Sequence, residues 1–336
     1  MISTDILDKV RGRSKGEGIL FHPILMHFAA RYNHTTYGRF ASDYRVLVES
    51  NIRCLEDFET DVVGLISDPY RETSAFGADV HFPQDSVPQC RQPIVKSIQD
   101  ARQLKNPDIY KEERTLDRIE GAKEYRKRLG HSVPVIGWIE GPLAETCDLA
   151  GVNDTLLNLI MEPDLVKVLI DKTTVTAKEF AKAQVEAGCD IIGMGDAICS
   201  QISDDQYREY VKEKHLEIVN YIHSLGAAVK IHICGDITHL LPDLKDVKPD
   251  ILDLDWMVDM EDSFDILGDE IIRCGNLDPV RIIEQQSTED LALKVRELCS
   301  KEKDNRFILS GGCEITVDTP AENLHIMRKI SAQNHA

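Results

Sequence analysis

Short apolar runs recur along the chain, and most are followed by a turn signal and then by a helical pattern. Eight of these runs are candidate strands, at residues 24–26, 62–66, 135–139, 190–194, 228–233, 251–254, 270–274 and 306–309. The runs are continuously apolar rather than alternating, which is typical of strands buried on both faces. Strands alternating with helices predict a (β/α)8 barrel, and the alternative is an open doubly wound sheet. No Gly-x-Gly-x-x-Gly motif follows a strand, which weakens that alternative.

Helical patterns fill the segments between these runs. Residues 204–225 carry apolar side chains at helical spacing, and Ser203 is the predicted N-cap. Residues 287–298 and 321–330 show the same pattern. Residues 111–128 carry many charges and few apolar side chains, so we interpret them as a solvated surface helix.

The organisation of the chain favours one domain. The first 130 residues contain only two of the candidate strands and much predicted helix. We interpret this part as helical insertions that decorate one barrel, because no linker rich in Gly, Ser or Pro divides the chain. Residues 1–336 are therefore predicted to form a single TIM-barrel domain, and a length of 336 residues suits such a barrel with insertions.

Net charge and cysteine content indicate which partners and which compartment to expect. A formal net charge of −19 disfavours nucleic acid and membrane surfaces as partners. The nine cysteines are odd in number and scattered, which indicates reduced thiols rather than a disulfide framework. The first segment has no apolar stretch typical of a signal peptide, and no apolar run is long enough to span a bilayer. We therefore expect a cytoplasmic protein.

Polar residues follow the predicted strands at the same point of each repeated unit. In a (β/α)8 barrel the carboxyl ends of the strands form the active-site rim, so the recurrence indicates a site better than any single residue does. The residues at this predicted rim are His27, Asp68, Glu140, Asp196, His232 with Cys234, Asp255, Asn276 and Cys313.

Three of these residues form a candidate metal set. His232 and Cys234 are two positions apart on one strand, so their side chains point to the same side. Cys313 follows the last strand after Gly311-Gly312, where the backbone can approach a ligand closely. Imidazole and thiolate are preferred zinc ligands, and catalytic zinc sites keep three protein ligands and one open position. On spacing alone, inert buried cysteines and a hydrogen-bonded histidine remain the alternative.

The other cysteines lack this placement. Cys54, Cys189 and Cys299 are interpreted as packing residues. Cys199 lies near the predicted rim but is not expected to be a ligand.

Several motifs resemble the uroporphyrinogen decarboxylase superfamily. They are the Asp-Trp-Met-Val-Asp run at 255–259, the Cys-Gly-Asn-Leu-Asp-Pro run at 274–279 and the stretch 312–323, with weaker matches at 26–32 and 67–69. The resemblance extends from about residue 20 to the C-terminus and implies a (β/α)8 barrel.

The chain also departs from the decarboxylases. His27 stands where they have an Arg that binds substrate carboxylates, Asp148 where they have a Tyr, and Cys313 where they have a His. Ala197 replaces the Ser that follows their Asp, which here is Asp196. These differences remove groups that a polycarboxylate tetrapyrrole needs, so uroporphyrinogen decarboxylation is kept as an alternative only.

The metal motif is more similar to the methylcobamide:coenzyme M methyltransferases of this superfamily, which bind zinc through His-x-Cys and a distant Cys. The resemblance implies Zn²⁺ on His232, Cys234 and Cys313. It also implies a methylcorrinoid co-substrate on a small partner protein, with a small thiol such as coenzyme M as methyl acceptor. The reverse reaction would demethylate a methylated small molecule onto the corrinoid.

The carboxylates of the rim are candidates for a supporting catalytic role. Asp196 and Asp255 are favoured, with Asp68 and Glu140 next, as partners of the ligands or as a fourth ligand. A solvated or helix-capping carboxylate is the alternative for each of them. A non-catalytic corrinoid- or zinc-binding protein is the third interpretation of the whole chain.

Overall fold

The computed structural model describes residues 3–10, 18–303 and 305–333. Eight parallel strands form one curled sheet in the order β1-β10-β9-β8-β7-β6-β5-β2, and β3 and β4 form a separate antiparallel hairpin. The strands are β1 (Leu20–Phe21), β2 (Val63–Gly64), β3 (Val80–His81), β4 (Gln89–Cys90), β5 (Val135–Glu140), β6 (Ile191–Gly195), β7 (Ala228–His232), β8 (Ile251–Asp253), β9 (Ile272–Leu277) and β10 (Phe307–Gly311).

Helices separate the strands of the sheet. Among the described residues they are α1 (Ser3–Val10), α2 (His27–Tyr32), α3 (Tyr37–Ser42), α4 (Tyr44–Phe58), α5 (Arg71–Ala75), α6 (Ile98–Gln103), α7 (Glu113–Leu129), α8 (Pro142–Ala150), α9 (Val152–Met161), α10 (Pro163–Ala187), α11 (Asp204–Gln206), α12 (Lys212–Ser224), α13 (Leu241–Val247), α14 (Met260–Leu267), α15 (Thr288–Glu302) and α16 (Ala321–Gln333). None of these helices is both long enough and apolar enough to cross a membrane.

The two edge strands of the sheet are joined by hydrogen bonds of one residue, Asp61. Asp61 precedes β2; its backbone N–H donates to Phe21 O at 3.0 Å, and its Oδ2 accepts from Phe21 N at 2.6 Å. The sheet is thereby joined from β1 to β2. The predicted (β/α)8 barrel is confirmed.

The strands place alternate side chains inside and outside the barrel, as the strand period requires. On β7, Ala228 faces the interior, whereas Val229 and Ile231 pack in the layer shared with the helices. Lys230 and His232 are in phase with Ala228, so they face the interior as well. Helix α1 adds Ile6 and Val10 to the interior apolar cluster, which also contains inward residues of the strands.

The first strand was predicted in the wrong place. Residues 24–26 are not a strand, because β1 is Leu20–Phe21 and the chain then passes through Pro23, which has no N–H for a ladder. The hairpin of β3 and β4 was not predicted. The other seven candidate strands are confirmed, with small shifts at their ends.

Two helical predictions also have clear outcomes. Ser203 caps α11 as predicted and forms a capping box with Gln206, but a π-helical turn at Tyr207–Val211 separates α11 from α12. The solvated-helix interpretation of residues 111–128 is wrong in part, because α7 buries Arg114 and Arg118 against the inner elements. These arginines are considered with the site below.

Candidate metal centre

The structure brings the three predicted metal ligands together at the carboxyl end of the barrel. His232 Nε2 lies 3.1 Å from Cys234 Sγ and 3.9 Å from Cys313 Sγ, and the two sulfur atoms are 3.7 Å apart. A tetrahedral zinc ion with Zn–S of about 2.3 Å and Zn–N of about 2.0 Å requires S–S and N–S separations of roughly 3.8 and 3.6 Å. The S–S separation matches, and the two N–S separations lie on either side of the required value. All three atoms lie within 4.8 Å of one another, so the group can hold one zinc ion after a small adjustment.

The orientation of His232 is held by a carboxylate on the next strand. Asp253 faces His232 in the ladder between β7 and β8, and its Oδ2 lies 2.9 Å from His232 Nδ1. Nε2 is thereby directed at the two sulfurs, in the arrangement of carboxylate-histidine-metal sites. Lys230 Nζ forms an ion pair with Asp253 Oδ1 at 3.0 Å. Both Lys230 and Asp253 are buried.

Asp253 was not among the predicted site residues. The signal that could have found it is register, because a parallel ladder between the strands at 228–233 and 251–254 sets Asp253 beside His232.

The protonation of the three side chains is coupled. A hydrogen bond from Cys234 is the main cause that lowers the pKa of Cys313 to about 4, and His232 adds to this against the opposing effect of burial. Burial opposes the charged form of His232, but the hydrogen bond with Asp253 and the proximity of Cys313 raise its pKa to about 10. The pKa of Cys234 is raised by its hydrogen bond with Cys313 and by burial. Metal binding at this cluster would therefore release the protons of His232 and Cys234.

A tryptophan lies beneath the cluster. The indole of Trp138 on β5 is centred 6.2 Å from the imidazole of His232. Its space is provided by β6, since a Cβ on Gly193 would lie 2.2 Å from the indole and a Cβ on Gly195 would lie 3.2 Å from it. The two glycines therefore let a large aromatic ring form the floor of the site.

Asp255 is the predicted carboxylate placed nearest to the ligand segments. Its Oδ2 accepts a hydrogen bond from Gly235 N at 2.7 Å, directly after Cys234. Its Oδ1 is buried and accepts no hydrogen bond from the described residues. The backbone of Asp255 also packs against Gly312, where a Cβ would lie 2.9 Å from its carbonyl carbon. Asp255 thus contacts the segments that carry both cysteines.

Asp196 has a different set of contacts. Its Oδ1 accepts from Ala144 N at 2.7 Å and its Oδ2 from Leu143 N at 3.3 Å, so it caps the amino end of α8. His215 Nε2 lies 2.9 Å from Oδ2, and Cys199 completes a second buried group of potential metal donors. Because both carboxylate oxygens are occupied, we interpret Asp196 as a helix cap rather than as a partner of the three clustered ligands.

Asp68 and Glu140 belong to a buried ion-pair network. Asp68 accepts from Arg114, and this arginine, with Arg71 and Arg118, lowers the pKa of Asp68 to about 2 against the opposing effect of burial. Glu140 accepts from Arg71 at 2.8 Å. Sequence reasoning missed these arginines, since their partners lie on distant elements.

The remaining rim residues have structural contacts. His27 begins α2, its backbone N–H donates to Glu314 at 2.8 Å, and its ring stacks on Tyr37. Asn276 Nδ2 donates to Val258 O at 2.7 Å and holds the loop that follows β8.

The protein is an eight-stranded parallel α/β barrel. Its His/Cys/Cys cluster at the carboxyl ends of the strands places it among barrels with a candidate metal centre. The chain belongs to the uroporphyrinogen decarboxylase (URO-D) family, which it matches over residues 20–333. The resemblance found in the sequence is confirmed.

Two curated relatives are methyltransferases of Methanosarcina. The methylcobamide:CoM methyltransferase MtaA of Methanosarcina barkeri is 26% identical over 65% of this chain, and this chain spans 63% of that protein. The methylcobamide:CoM methyltransferase MtbA of Methanosarcina acetivorans is 30% identical over 70% of this chain and 68% of its own length. A solved methyltransferase from Methanosarcina mazei has the same fold, with a TM-score of 0.90, 20% identity and 99% of each chain covered.

Proposed function

We propose that this protein is a zinc-dependent methyltransferase that moves a methyl group between a corrinoid and a small thiol. The observation that carries the proposal is the spacing of His232, Cys234 and Cys313, which suits one tetrahedral zinc ion. The names of the curated relatives support methyl transfer with a methylcobamide as one reactant.

His232, Cys234 and Cys313 would hold the ion and leave one position open. When bound, zinc would take a thiol substrate at that position and keep it as the thiolate. Asp253 keeps the imidazole oriented towards the sulfurs, and Trp138 closes the floor beneath it. The chain therefore needs no separate general base for a thiol acceptor.

The four predicted carboxylates would act through different contacts. Asp255 has a buried oxygen that accepts no hydrogen bond from the described residues and lies beside the ligand segments, so it is our candidate for a fourth ligand or a direct substrate contact. Asp196, Asp68 and Glu140 would position helices and arginines around the mouth of the barrel.

A small corrinoid-carrying protein is the proposed partner. The methyl group must reach the carboxyl ends of the strands, so the partner would dock on that face. Three apolar side chains are exposed after β8 and β9: Trp256, Met257 and Val280. Such a contact would be small and transient, because the corrinoid protein has to leave to be methylated again.

Uroporphyrinogen decarboxylation is the second candidate, because the family that the chain matches carries that name. The mouth disfavours it, since His27 and Asp148 stand where the decarboxylases have groups for a polyanionic tetrapyrrole and several carboxylates lie nearby. Loss of carboxylates from uroporphyrinogen on incubation with the protein would establish this function instead.

The deciding experiment combines metal analysis with a methylcobalamin-to-thiol assay. We expect about one zinc per chain, methyl transfer to at least one thiol of a panel, and loss of both in Cys313→Ser. A protein that binds zinc or corrinoid but transfers no methyl group in either direction would be a non-catalytic binding protein, and the proposal would be wrong.

A further inference from the structure

Four carboxylates meet beside the mouth of the barrel, and we refer to them as the acidic cluster. They are Glu72 on α5, Glu140 at the end of β5, and Glu145 and Asp148 on α8. Glu72 Oε1 accepts from the backbone N–H of Glu140 at 2.8 Å. Thr73, which follows Glu72, donates to Glu145 Oε2 at 3.0 Å. These bonds tie α5, β5 and α8 together around the carboxylates.

Within the described part of the chain, the four acids of the acidic cluster are paired with one cation, Arg71. Arg71 is shared by Glu140 at 2.8 Å and Glu72 at 3.6 Å. Among the described residues, Glu145 and Asp148 form no ion pair with any cation. The nearby arginines of α7 are engaged elsewhere, since Arg114 contacts Asp68 and Ala41 O.

Buried carboxyl oxygens without hydrogen-bond partners indicate that a ligand binds here. Glu145 is only 2% exposed, and its Oε1 is buried without a hydrogen-bond partner among the described residues. Thr73 directs this carboxyl towards α5, and Asp148 Oδ2 is likewise buried without a hydrogen-bond partner among the described residues. Burial and the neighbouring acids raise the pKa of Glu145 and of Asp148 well above the ordinary range. Buried polar atoms normally have partners, so these two oxygens call for a hydrogen-bond donor.

The spread of the oxygens selects the kind of cation. Within the described residues, only the His232 group and the Asp196 group hold three potential metal donors within 4.8 Å of one another. The acidic cluster is therefore too open for one small metal ion. An ammonium group has several N–H donors that point in different directions and can satisfy separated carboxylates.

The position of the acidic cluster relates it to the metal centre. Glu140 pairs with Gly195 on β6, and Gly195 pairs with His232 on β7. Two strand spacings place it about 10 Å from the metal centre at the same rim. Asp148 and Tyr70 are half-buried, and burial together with the nearby charge of Asp148 raises the pKa of Tyr70 to about 12. A ligand can therefore reach the cluster from the mouth beside an aromatic ring.

We propose that the acidic cluster binds a positively charged ammonium group of the small-molecule substrate, whose thiol end lies at His232, Cys234 and Cys313. This inference rests on the proposed function and narrows its substrate class to aminothiols. A thiol that ends in a sulfonate would meet like charge there and should bind less tightly than an aminothiol.

The test uses alkanethiols of several chain lengths that end in an ammonium, a hydroxyl or a sulfonate group. Their binding to the zinc-loaded full chain is measured by calorimetry, and methyl transfer from methylcobalamin is measured separately. The ammonium series should bind about tenfold more tightly than the sulfonate series. Asp148→Asn and Glu145→Gln should each reduce this preference by about threefold, since each removes one of the carboxylates that share the ammonium group. Asp154→Asn, which changes an exposed acid on α9, is the matched control and should keep it.

The outcomes separate the two proposals. Equal binding of the three series, a preference for sulfonate, or an ammonium preference that survives both cluster variants would overturn the inference. Methylation of thiols without an ammonium preference would leave the proposed function standing alone. An ammonium preference that the cluster variants abolish, with no thiol methylated, would support the acidic cluster and overturn the proposed function. Circular dichroism of each variant shows whether a change in binding reflects loss of the fold.

Discussion

Replacement of Asp253 by asparagine is the sharpest test of the metal centre. The carboxylate accepts from His232 Nδ1 at 2.9 Å and pairs with buried Lys230 at 3.0 Å. Loss of a carboxylate that orients a metal-binding histidine lowers metal affinity by roughly 10–100-fold, equivalent to about 1.4–2.8 kcal/mol. The same change leaves the Lys230 ammonium buried and unpaired, which costs about 3–5 kcal/mol of folding free energy.

Lys230→Met separates the effect on zinc affinity from the effect on folding free energy. Methionine removes the buried cation with little change in volume and keeps the contact between Asp253 and His232. We expect zinc affinity close to that of the parent in Lys230→Met, measured by competition with a chelator. The double variant with Asp253→Asn should regain most of the lost stability in urea titrations while zinc affinity stays low. If Asp253→Asn bound zinc as tightly as the parent protein, the orienting role of Asp253 would be refuted.

Three further predictions follow from the geometry of the mouth. Alanine at His232 or serine at Cys234 should remove zinc without unfolding the barrel, which metal analysis and circular dichroism can check; retained zinc would exclude that ligand. The pKa of Asp68 is lowered from its usual value near 3.8 to about 2, so the pairing should stabilise the fold by about 2 kcal/mol above pH 4 and lose this as pH falls towards 2. Urea titrations should show a weaker acid dependence in Asp68→Asn, and an identical dependence would contradict the pairing. Free methylcobalamin should react more slowly than a corrinoid protein, and Trp256→Ser should raise KM only for the protein donor; equal rates with both donors would contradict docking.

The barrel was largely predictable because its strands are buried on both faces, and continuous apolar runs at 135–139 or 228–233 have few other interpretations. The proximity of His232 and Cys234 was predictable for a related reason, because residues two positions apart on a strand point to the same side of the sheet. Glu140 and Asp68 could be assigned to the rim, but their contacts could not. Those contacts depend on which distant side chains fold against them.

The arginines of α7 show most clearly which contacts the sequence pattern could not reveal. A helix with charges at helical spacing has the same pattern whether its polar face meets water or buried acids, so Arg114 and Arg118 were interpreted as solvated. Their partners Asp68 and Ala41 O lie on separate elements. Asp253 was missed because only the register of β7 and β8 reveals that it faces His232.

The indole of Trp138 fills the inside of the barrel one layer below His232, level with Gly193 and Lys230. A small cavity of about 40 Å³ also borders this ring, and it extends towards β2 and α4, where Val63 and Cys54 line it. The depth of the mouth is thus set by one side chain that is not a predicted ligand. A small residue in place of Trp138 should deepen the mouth, and the series of thiols of different lengths would show whether longer molecules then bind. The two glycines that leave room for the indole therefore also limit how far a bound molecule can reach into the barrel.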